Sequence, residues 1–341
     1  MPVYNTERFL RFAIDSVLRQ SFKDFELVAV DDGSVDNSLK ILRSYKDPRV
    51  RVLESQKNQG ISATRNRALT SARGDYVAWL DSDDISYPRR LEVEFVFLDS
   101  RRDVGFCHSD FDEIDEAGNA GTSRTAEVRL PSEWKMLWTN PVAQSTVMMR
   151  RSVVAAQDRP YNSECDPAED YDLWTRLVLK VGIGYVPDVL ISYRTHPTSA
   201  YHTNSRRALL KSLDSNERLV KELCGGEVVP FHKYLTTFGG VLQDDLPAVS
   251  YRALQDWYYR LLDACMTKYR WDRKTASMVE ADIRKRLTDL LLGKSQIVRA
   301  KGTRSFLLAR DPLLLGRAAL WRFYRSLRRA AKSAVGLSRA R

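Results

Sequence analysis

Short apolar runs that end in aspartates most constrain how this chain can fold. "FELVAVDDGS" is apolar from Phe25 to Val30 before its acids begin, and "DYVAWLDSDD" follows the same pattern. Helical patterns separate such runs, in "TERFLRFAIDSVLRQ", "GISATRNRALTSA" and "PRRLEVEFVFLDS". This alternation predicts an α/β domain in which helices flank a Rossmann-like, mostly parallel sheet.

The rest of the chain extends this pattern and then changes it. "VRVLES" predicts another strand, "EDYDLWTRLVLKVG" a helix and "IGYVPDVLISYRTH" a strand, whereas residues beyond about 205 show only helical periodicity. Asn5 or Thr6 is available as N-cap of the first helix, one face of which carries Phe9, Ala13, Val17 and Leu18. We therefore expect an α/β domain over 1–204 and a basic helical region over 205–341.

The distribution of charge supports this division. The chain carries a net charge of +10, yet residues 1–204 hold 26 Lys and Arg against 31 Asp and Glu. Residues 205–341 hold 28 Lys and Arg against 13 Asp and Glu. The two regions should therefore have different partners.

Cysteine usage and hydropathy indicate the compartment. The four cysteines are far apart and show no CxxC spacing, which predicts reduced, mostly buried thiols rather than a zinc site. No run approaches the roughly 20 apolar residues of a membrane span, and "MPVYNTERFL" does not resemble a signal peptide. We expect a cytoplasmic protein, either soluble or peripheral on the inner face of the membrane.

Both acidic clusters should lie at one ligand site, because the carboxyl ends of strands line the crevice of an open α/β sheet. "DDGS" also suits an ordinary turn, since Asp, Gly and Ser favour turns. "DSDD" is more specific. Its three carboxylates repel one another unless a hard divalent cation such as Mg or Mn neutralises them. The alternative is a solvated acidic turn before the "PRRLEVEF" helix.

Six motifs together indicate a family. "PVYN", "VDDGSVDNS", "NQGISATRN", "WLDSDD", "EDYDLWTRL" and "YRTHPTS" occur in this order. The set resembles family 2 glycosyltransferases of the GT-A fold, including bacterial envelope and exopolysaccharide enzymes. The resemblance covers roughly residues 1–204. It implies a nucleotide-sugar donor and a DXD metal-binding motif.

The resemblance implies roles for the residues near the nucleotide. Asp32, with Asp31 beside it, would accept the N–H of a uracil-like base, and Pro2 and Tyr4 would belong to one wall of the nucleotide site. Arg65 matches a nucleotide-contacting position, although a surface helix arginine is the alternative. Asp81 would lie near the ribose.

The same resemblance implies a metal site. Asp83 would be the direct ligand of a Mn or Mg ion that bridges the two phosphates of the donor. His196 resembles a histidine that completes this site in several members of the family. A purely structural histidine is the alternative.

The resemblance makes an acid in "EDYDLWTRL" the general base that deprotonates the acceptor hydroxyl, with inversion at the anomeric carbon. Asp170 is the expected base, and Glu169 and Asp172 are its neighbours. Helical spacing puts Asp170 on one face with Trp174 and Leu177, which we expect to line the cleft. Acids that merely complement a helix N-terminus are the alternative.

The C-terminal stretch 311–341 has eight basic residues from Arg317 onward and no acid after Asp311. Its apolar and basic residues recur on different helical faces, which predicts a helix on an anionic membrane surface. A terminal helix packed on the protein is the alternative, and no nucleic-acid module accompanies the charge. Membrane association would suit a lipid-linked acceptor.

Taken together, the sequence predicts inverting, metal-dependent sugar transfer from a nucleotide sugar, most simply a UDP-sugar, to a glycan or lipid-linked acceptor. The enzymatic alternative is a sugar-nucleotide nucleotidyltransferase, although "PVYNTERF" lacks a glycine-rich phosphate loop. The non-enzymatic alternative is a membrane scaffold that retains the fold. Because the family normally places an apolar strand before "PVYN", we also expect the natural chain to start upstream of Met1.

Overall fold

The computed structural model describes residues 1–123, 130–197, 205–237, 249 and 251–291. The chain divides into two compact units, Met1–Glu222 and Leu223–Arg341. The predicted domain boundary after residue 204 stays a prediction.

Strands and helices alternate through the first unit. Its strands are β1 (Pro2–Val3), β2 (Leu27–Asp31), β3 (Val50–Glu54), β4 (Tyr76–Ala78), β5 (Ile85–Ser86), β6 (Val104–Ile114), β7 (Ala120–Ser123), β8 (Val147–Arg150) and β9 (Gly182–Arg194). Its helices are α1 (Leu10–Leu18), α2 (Ser38–Ser44), α3 (Ile61–Ser71), α4 (Arg90–Asp99), α5 (Ser132–Met136), α6 (Arg151–Ala155) and α7 (Glu169–Leu177). Most of helix α8 (Ser205–Leu223) also belongs to this unit.

The first three strands form a parallel sheet in the order β1-β2-β3. Pro2 pairs with Val30, and Leu27 pairs with Val50. All five residues of β2 are buried, as expected for a strand of a parallel sheet that is covered on both faces. This sheet places the acids at the end of β2 beside the segment that follows β1.

The second sheet has the order β4-β8-β6-β9-β5, and β7 pairs with β6. Here β6 and β9 are parallel, whereas β4–β8, β6–β8, β6–β7 and β5–β9 are antiparallel. The predicted α/β class with flanking helices is confirmed. Among the described strands, parallel pairing is confined to β1–β2, β2–β3 and β6–β9.

Helix α1 packs through the face that its sequence predicts. Phe9, Ala13 and Val17 are buried. Leu18 is partly buried and packs against the hydrophobic core cluster that contains Ala13 and Val17. The predicted N-caps are wrong, because α1 begins at Leu10 with Phe9 as its N-cap. The carbonyl oxygen of Thr6 accepts the N–H groups of Phe9 and Leu10, so the backbone turns into the helix without a capping side chain.

The described part of the second unit is helical, as predicted. It contains α9 (His232–Leu235), α10 (Tyr251–Tyr269) and α11 (Arg273–Leu291). Gly225 and Gly226 both have positive φ angles, which suits the end of helix α8 just before them. Among the described residues, no helix combines the length and the apolar character needed to cross a bilayer. The predicted basic helix at 311–341 lies outside the described residues.

Candidate active site

Asp31 organises the turn that follows β2. Its Oδ2 accepts the N–H groups of Gly33 at 3.2 Å and Ser34 at 3.1 Å. Gly33 has a φ of +72°, and a Cβ there would lie 2.7 Å from the carbonyl carbon of Lys57, so the turn requires glycine. Oδ1 of Asp31 is buried without a hydrogen-bond partner among the described residues. The "DDGS" turn therefore leaves one carboxylate oxygen available.

Asp32 holds the entry to helix α3. It accepts the N–H of Gln59 at 2.9 Å on Oδ1 and the N–H of Gly60 at 3.0 Å on Oδ2. The side chain is only 3% exposed. A carboxylate offers about four lone-pair sites, so these bonds do not exhaust its acceptor capacity. The expected contact of Asp32 with a nucleotide base stays a prediction.

The "PVYN" segment lies against the "DDGS" turn. Asn5 has a φ of +51°; its N–H donates to Ser34 Oγ at 3.0 Å and its Oδ1 accepts the N–H of Val35 at 2.9 Å. Pro2 is buried in β1, and Tyr4 is 45% exposed. The two predicted nucleotide segments thus form one connected surface on which Tyr4 faces solvent.

Arg65 joins two acids from distant parts of the chain. Its Nη2 donates to Asp81 Oδ1 at 3.0 Å, and its Nη1 donates to Glu169 Oε1. The residue is 5% exposed, and its guanidinium lies over the ring of Tyr161. Burial disfavours the charge, but Asp81 and Glu169 together raise the pKa of Arg65. The alternative of a surface arginine is wrong.

The acids of "DSDD" have different environments. Asp81 pairs with Arg65, whereas Asp83 Oδ2 lies 2.9 Å from His196 Nε2. Asp84 is buried, and its Oδ1 accepts the N–H of Arg194 at 2.8 Å. Burial, together with Asp83 and Asp81, raises the pKa of Asp84 well above its usual range. Asp84 therefore supports, through its bond to the Arg194 N–H, the segment that carries the acids of the predicted metal and ribose sites.

Arg194 and Phe9 support this corner of the site. Arg194 Nε donates to the carbonyl oxygen of Asp83 at 2.8 Å, and its guanidinium lies 4.9 Å from the centre of the Phe9 ring. The His196 ring packs on Phe9 with centroids 4.9 Å apart. Strand β9 therefore fixes both the backbone of "DSDD" and the imidazole that faces it.

The residues around Asp83 fit a hard divalent cation in part. The carboxylate oxygen of Asp83 is a ligand that Mn and Mg prefer, whereas the imidazole nitrogen of His196 favours a transition metal such as Mn over Mg. Among the described residues, no group of three or more His, Cys, Asp or Glu side chains could hold a metal ion alone. The pair is suited to an ion whose other ligands come from a bound diphosphate and water.

Asp170 lies in the first turn of α7. Its Oδ1 accepts the N–H of Tyr171 at 2.6 Å, and its Oδ2 accepts from Asn140 Nδ2 at 3.3 Å. Burial raises the pKa of Asp170, although Arg65 opposes the shift. The side chain is half-buried. This arrangement holds a carboxyl group of increased basicity at the edge of the site.

The two acids beside Asp170 differ clearly from it. Glu169 is buried against Arg65, and burial raises its pKa to about 7. Asp172 is buried between Arg176 Nη2 at 2.9 Å and Arg218 Nη2 at 2.8 Å; despite burial, these cations lower its pKa. Asp172 therefore joins α7 to α8, and Asp170 is the most exposed acid of the three.

The predicted cleft-facing stripe on α7 is wrong. Trp174 and Leu177 are fully buried, and Trp174 stacks on Phe106 with centroids 5.3 Å apart. Periodicity alone cannot distinguish a face that lines a cleft from one that packs on the core. Trp174 and Leu177 therefore pack in the protein interior. Of helix α7, only the first turn, which carries Asp170, lies at the candidate site.

No role for Glu169, Arg194 or Asn140 follows from the sequence alone. Glu169 and Arg194 fall inside "EDYDLWTRL" and "YRTHPTS", so the motifs themselves were a signal for these two residues. Asn140 lies outside every quoted motif, and nothing in the sequence distinguishes it.

The structure joins some of the predicted site residues directly. Arg65 contacts Asp81 and the residue before Asp170, and Asp83 contacts His196. Asp31 and Asp32 instead bond backbone N–H groups in residues 33–34 and 59–60.

Comparison with known proteins identifies the family. The model of glycosyl transferase family 2 matches residues 1–155. The putative glycosyltransferase EpsE of Bacillus subtilis is 32% identical over 254 residues, which cover 73% of this chain and 88% of that protein. The uncharacterized glycosyltransferase MJ1057 of Methanocaldococcus jannaschii is 29% identical over 218 residues, covering 62% of this chain and 75% of that protein.

Solved structures share the fold. S. aureus TarS 1-349 in complex with UDP-GlcNAc matches with a TM-score of 0.56 at 19% identity, over 89% of this chain and 88% of that chain. The mannosyltransferase PcManGT of Pyrobaculum calidifontis, in complex with GDP-Man and Mn2+, matches with a TM-score of 0.53 at 17% identity. The match covers 93% of this chain and 85% of that chain. These similarities confirm the predicted GT-A fold. The chain belongs to glycosyl transferase family 2, and it is a glycosyltransferase enzyme.

Proposed function

We propose that this glycosyltransferase moves a hexose-type sugar from a nucleotide-sugar donor to an acceptor hydroxyl, with inversion at the anomeric carbon and a requirement for Mn or Mg. One observation carries the proposal: Arg65 bonds both Asp81 and Glu169, the residue before Asp170. The acids proposed for donor binding and for catalysis are thereby held in one buried network.

In this proposal Asp170 is the general base. It takes the proton of the acceptor hydroxyl as that oxygen attacks the anomeric carbon, and the nucleoside diphosphate leaves from the opposite face. Asn140 Nδ2 and the N–H of Tyr171 orient the carboxyl group. The raised pKa of Asp170, which burial causes, favours proton abstraction because a more basic carboxylate holds the proton more strongly.

Asp83 and His196 are the proposed ligands of the divalent cation. When bound, such an ion offsets the charge that develops on the leaving diphosphate. The protein contributes the orientation of the two ligands, since Arg194 holds the backbone of Asp83 and Phe9 packs against the His196 ring. The Mn2+ in the PcManGT complex supports this assignment.

We assign the nucleotide to the surface that follows β1 and β2. Asp31 and Asp32 would receive the base, Pro2 and Tyr4 would form one wall, and Asp81 would lie near the ribose. The buried Oδ1 of Asp31, which has no partner among the described residues, supports a polar ligand there. The UDP-GlcNAc complex of TarS supports a UDP-sugar, and the GDP-Man complex of PcManGT supplies the second candidate.

The acceptor is proposed from the sequence. A glycan or lipid-linked acceptor of cell-envelope polysaccharide synthesis, reached at the cytoplasmic face of the membrane, would suit the eight basic residues from Arg317 onward. Flotation of liposomes with the full chain and with a chain ending at residue 310 tests this part. Equal flotation of the two chains would contradict a role for the basic segment.

A donor panel tests the proposed reaction. UDP-GlcNAc, UDP-glucose, UDP-galactose and GDP-mannose are incubated with the full chain and oligosaccharide acceptors, with Mn²⁺ or with EDTA, and nucleotide release is measured. We expect release from a UDP-sugar that EDTA abolishes and added Mn²⁺ restores. Release from GDP-mannose alone would refute the UDP assignment, and release that EDTA leaves unchanged would refute the metal requirement. The anomeric configuration of the product, followed by NMR, tests inversion.

A further inference from the structure

Helix α3 holds the segment that leads to the proposed base. Ser62 Oγ donates to Asp166 Oδ1, and Arg65 Nη1 donates to Glu169 Oε1. One residue further along α3, the Asn66 amide donates to the Tyr161 carbonyl oxygen at 2.8 Å and accepts the Tyr161 N–H at 3.0 Å. Successive turns of one helix thus contact residues 161–169, and Asp170 comes next in the chain.

The N-cap of α7 does little to hold the start of the helix. It is Ala168, which provides no side-chain hydrogen bond to the first turn. The first four N–H groups of a helix have no partner within the helix, so such a bond would otherwise stabilise them. Among the described residues, Asn140 donates to the Asp170 carboxylate at 3.3 Å. The Arg65–Glu169 ion pair therefore anchors the residue before Asp170, and the Tyr171 hydroxyl, which donates to the Met136 carbonyl oxygen, anchors the residue after it.

Arg65 is poorly placed to contact a donor nucleotide directly. Its side chain is 6% exposed, and both terminal nitrogens are bonded to carboxylates. Within the described part of the chain, its Nε and Glu169 Oε2 are both buried without a hydrogen-bond partner. A phosphate that approached Nη1 or Nη2 would have to separate one of these ion pairs, and separation from Glu169 would leave a buried carboxylate uncompensated.

We propose that Arg65 is a positioning residue for Asp170, acting through Glu169, rather than a contact to the donor nucleotide. The proposal rests on the proposed role of Asp170 as the base. Arg65 ties the first turn of α7 to α3 and to Asp81, and so fixes the backbone from which the Asp170 carboxyl group projects. A displacement of that carboxyl group by about 1 Å would cost about 10²-fold in rate without removing any contact to the nucleotide.

The two roles predict different kinetics. Arg65→Met and Glu169→Met are compared with wild type for kcat, for KM of the UDP-sugar selected by the donor panel, and for the Kd of UDP with Mn²⁺ by calorimetry. A positioning role predicts a fall in kcat of about 10²-fold in both variants. The UDP Kd should stay unchanged in Glu169→Met, which leaves the Arg65–Asp81 pair in place. Arg65→Lys should recover only part of kcat, because one ammonium cannot reproduce two bonds from a planar guanidinium.

Arg67→Met is the matched control. Arg67 lies two residues further along α3, where its Nη1 donates to Ser55 Oγ at 2.9 Å. The control loses an arginine of the same helix without touching Glu169, and kcat should remain at the wild-type value. The thermal unfolding of each variant is measured as well, to establish that the variant is folded. If Arg65→Met does not fold, Glu169→Met carries the test, because it removes the contact with Arg65 and leaves Arg65 paired with Asp81.

A nucleotide-contact role gives the opposite result. Arg65→Met would then weaken UDP binding about tenfold or more, the loss expected for one charge-assisted hydrogen bond, and Glu169→Met would keep full kcat. That outcome overturns the inference. Asp170→Asn separates the two proposals: wild-type turnover by Asp170→Asn refutes the base itself. Loss of turnover by Asp170→Asn, with full kcat in Arg65→Met, refutes only the positioning role.

Discussion

Oδ2 of Asp83 lies 2.9 Å from Nε2 of His196, although the two residues are 113 positions apart in the chain. Asp83 follows β4, and His196 follows β9 at the opposite end of the catalytic sequence. Each residue was predicted as a metal ligand from a different motif. Their direct contact makes a shared cation the simplest proposal for this corner of the site.

Loss of either residue of this pair should weaken activation by Mn²⁺. We expect Asp83→Asn and His196→Ala to raise the Mn²⁺ concentration for half-maximal activity by at least about 10- to 100-fold, since even outer-shell partners of metal sites have effects of that size. Mn²⁺ titration of nucleotide release measures this. Asp84→Asn is the control, because asparagine has a similar shape and its Oδ1 can still accept the N–H of Arg194. Wild-type Mn²⁺ dependence in both pair variants would contradict the assignment.

Asp172 should matter for stability rather than for donor binding. Its side chain is 2% exposed and lies between Arg176 and Arg218, and Ser215 Oγ donates to it at 3.3 Å. Asp172→Asn removes a buried carboxylate that accepts from two partly exposed arginines, which should lower the free energy of unfolding by roughly 1.5–3 kcal/mol. Urea unfolding measures this change, and the UDP Kd of the folded variant should equal that of wild type.

The same residue predicts a response to acid. The arginines lower the pKa of Asp172 despite its burial. The stabilisation is therefore fully present above the pKa of the unfolded chain and is lost as pH falls through the folded pKa. Wild type should lose stability on acidification to a greater extent than Asp172→Asn. Parallel stability profiles for the two proteins would refute the ion-pair account.

Glu169 should make the stability of the protein depend on pH in the opposite direction. Burial raises its pKa from 4.5 to about 7, against the effect of Arg65. Between these values the folded protein keeps a proton that the unfolded chain has lost, so this group makes the protein less stable as pH rises. The stability of wild type relative to Glu169→Gln should fall across this window by up to about 1.4 kcal/mol per pH unit. Urea unfolding at several pH values tests this, and a constant difference would contradict it.

Much of the fold could be predicted because the local patterns are strong. The run from Phe25 to Val30 predicted a buried strand, and the structure has β2 at Leu27–Asp31. The antiparallel partners β4 and β8 could not be predicted, because Val77 and Met149 pair across 72 positions and no short-range pattern specifies that register.

Site residues could be predicted where a motif specifies the side chain, but contacts that depend on the packing of distant elements could not be predicted. Motifs located Asp83, His196 and Asp170, whereas the pairing of Asp172 with Arg218 depends on the approach of α8 to α7. Trp174 was assigned to the cleft because helical spacing shows which residues share a face, but not what covers that face. Arg65 was predicted as a site residue from its motif, whereas its burial between two acids could be seen only in the tertiary structure.

Turnover by Asp170→Asn tests the central claim most directly. Nucleotide release with the selected donor, Mn²⁺ and acceptor is measured beside the Kd of UDP. If Asp170 is the general base, kcat falls by about 10²- to 10⁴-fold and the Kd of UDP stays at the wild-type value. Equal turnover by wild type and Asp170→Asn would contradict the proposed mechanism.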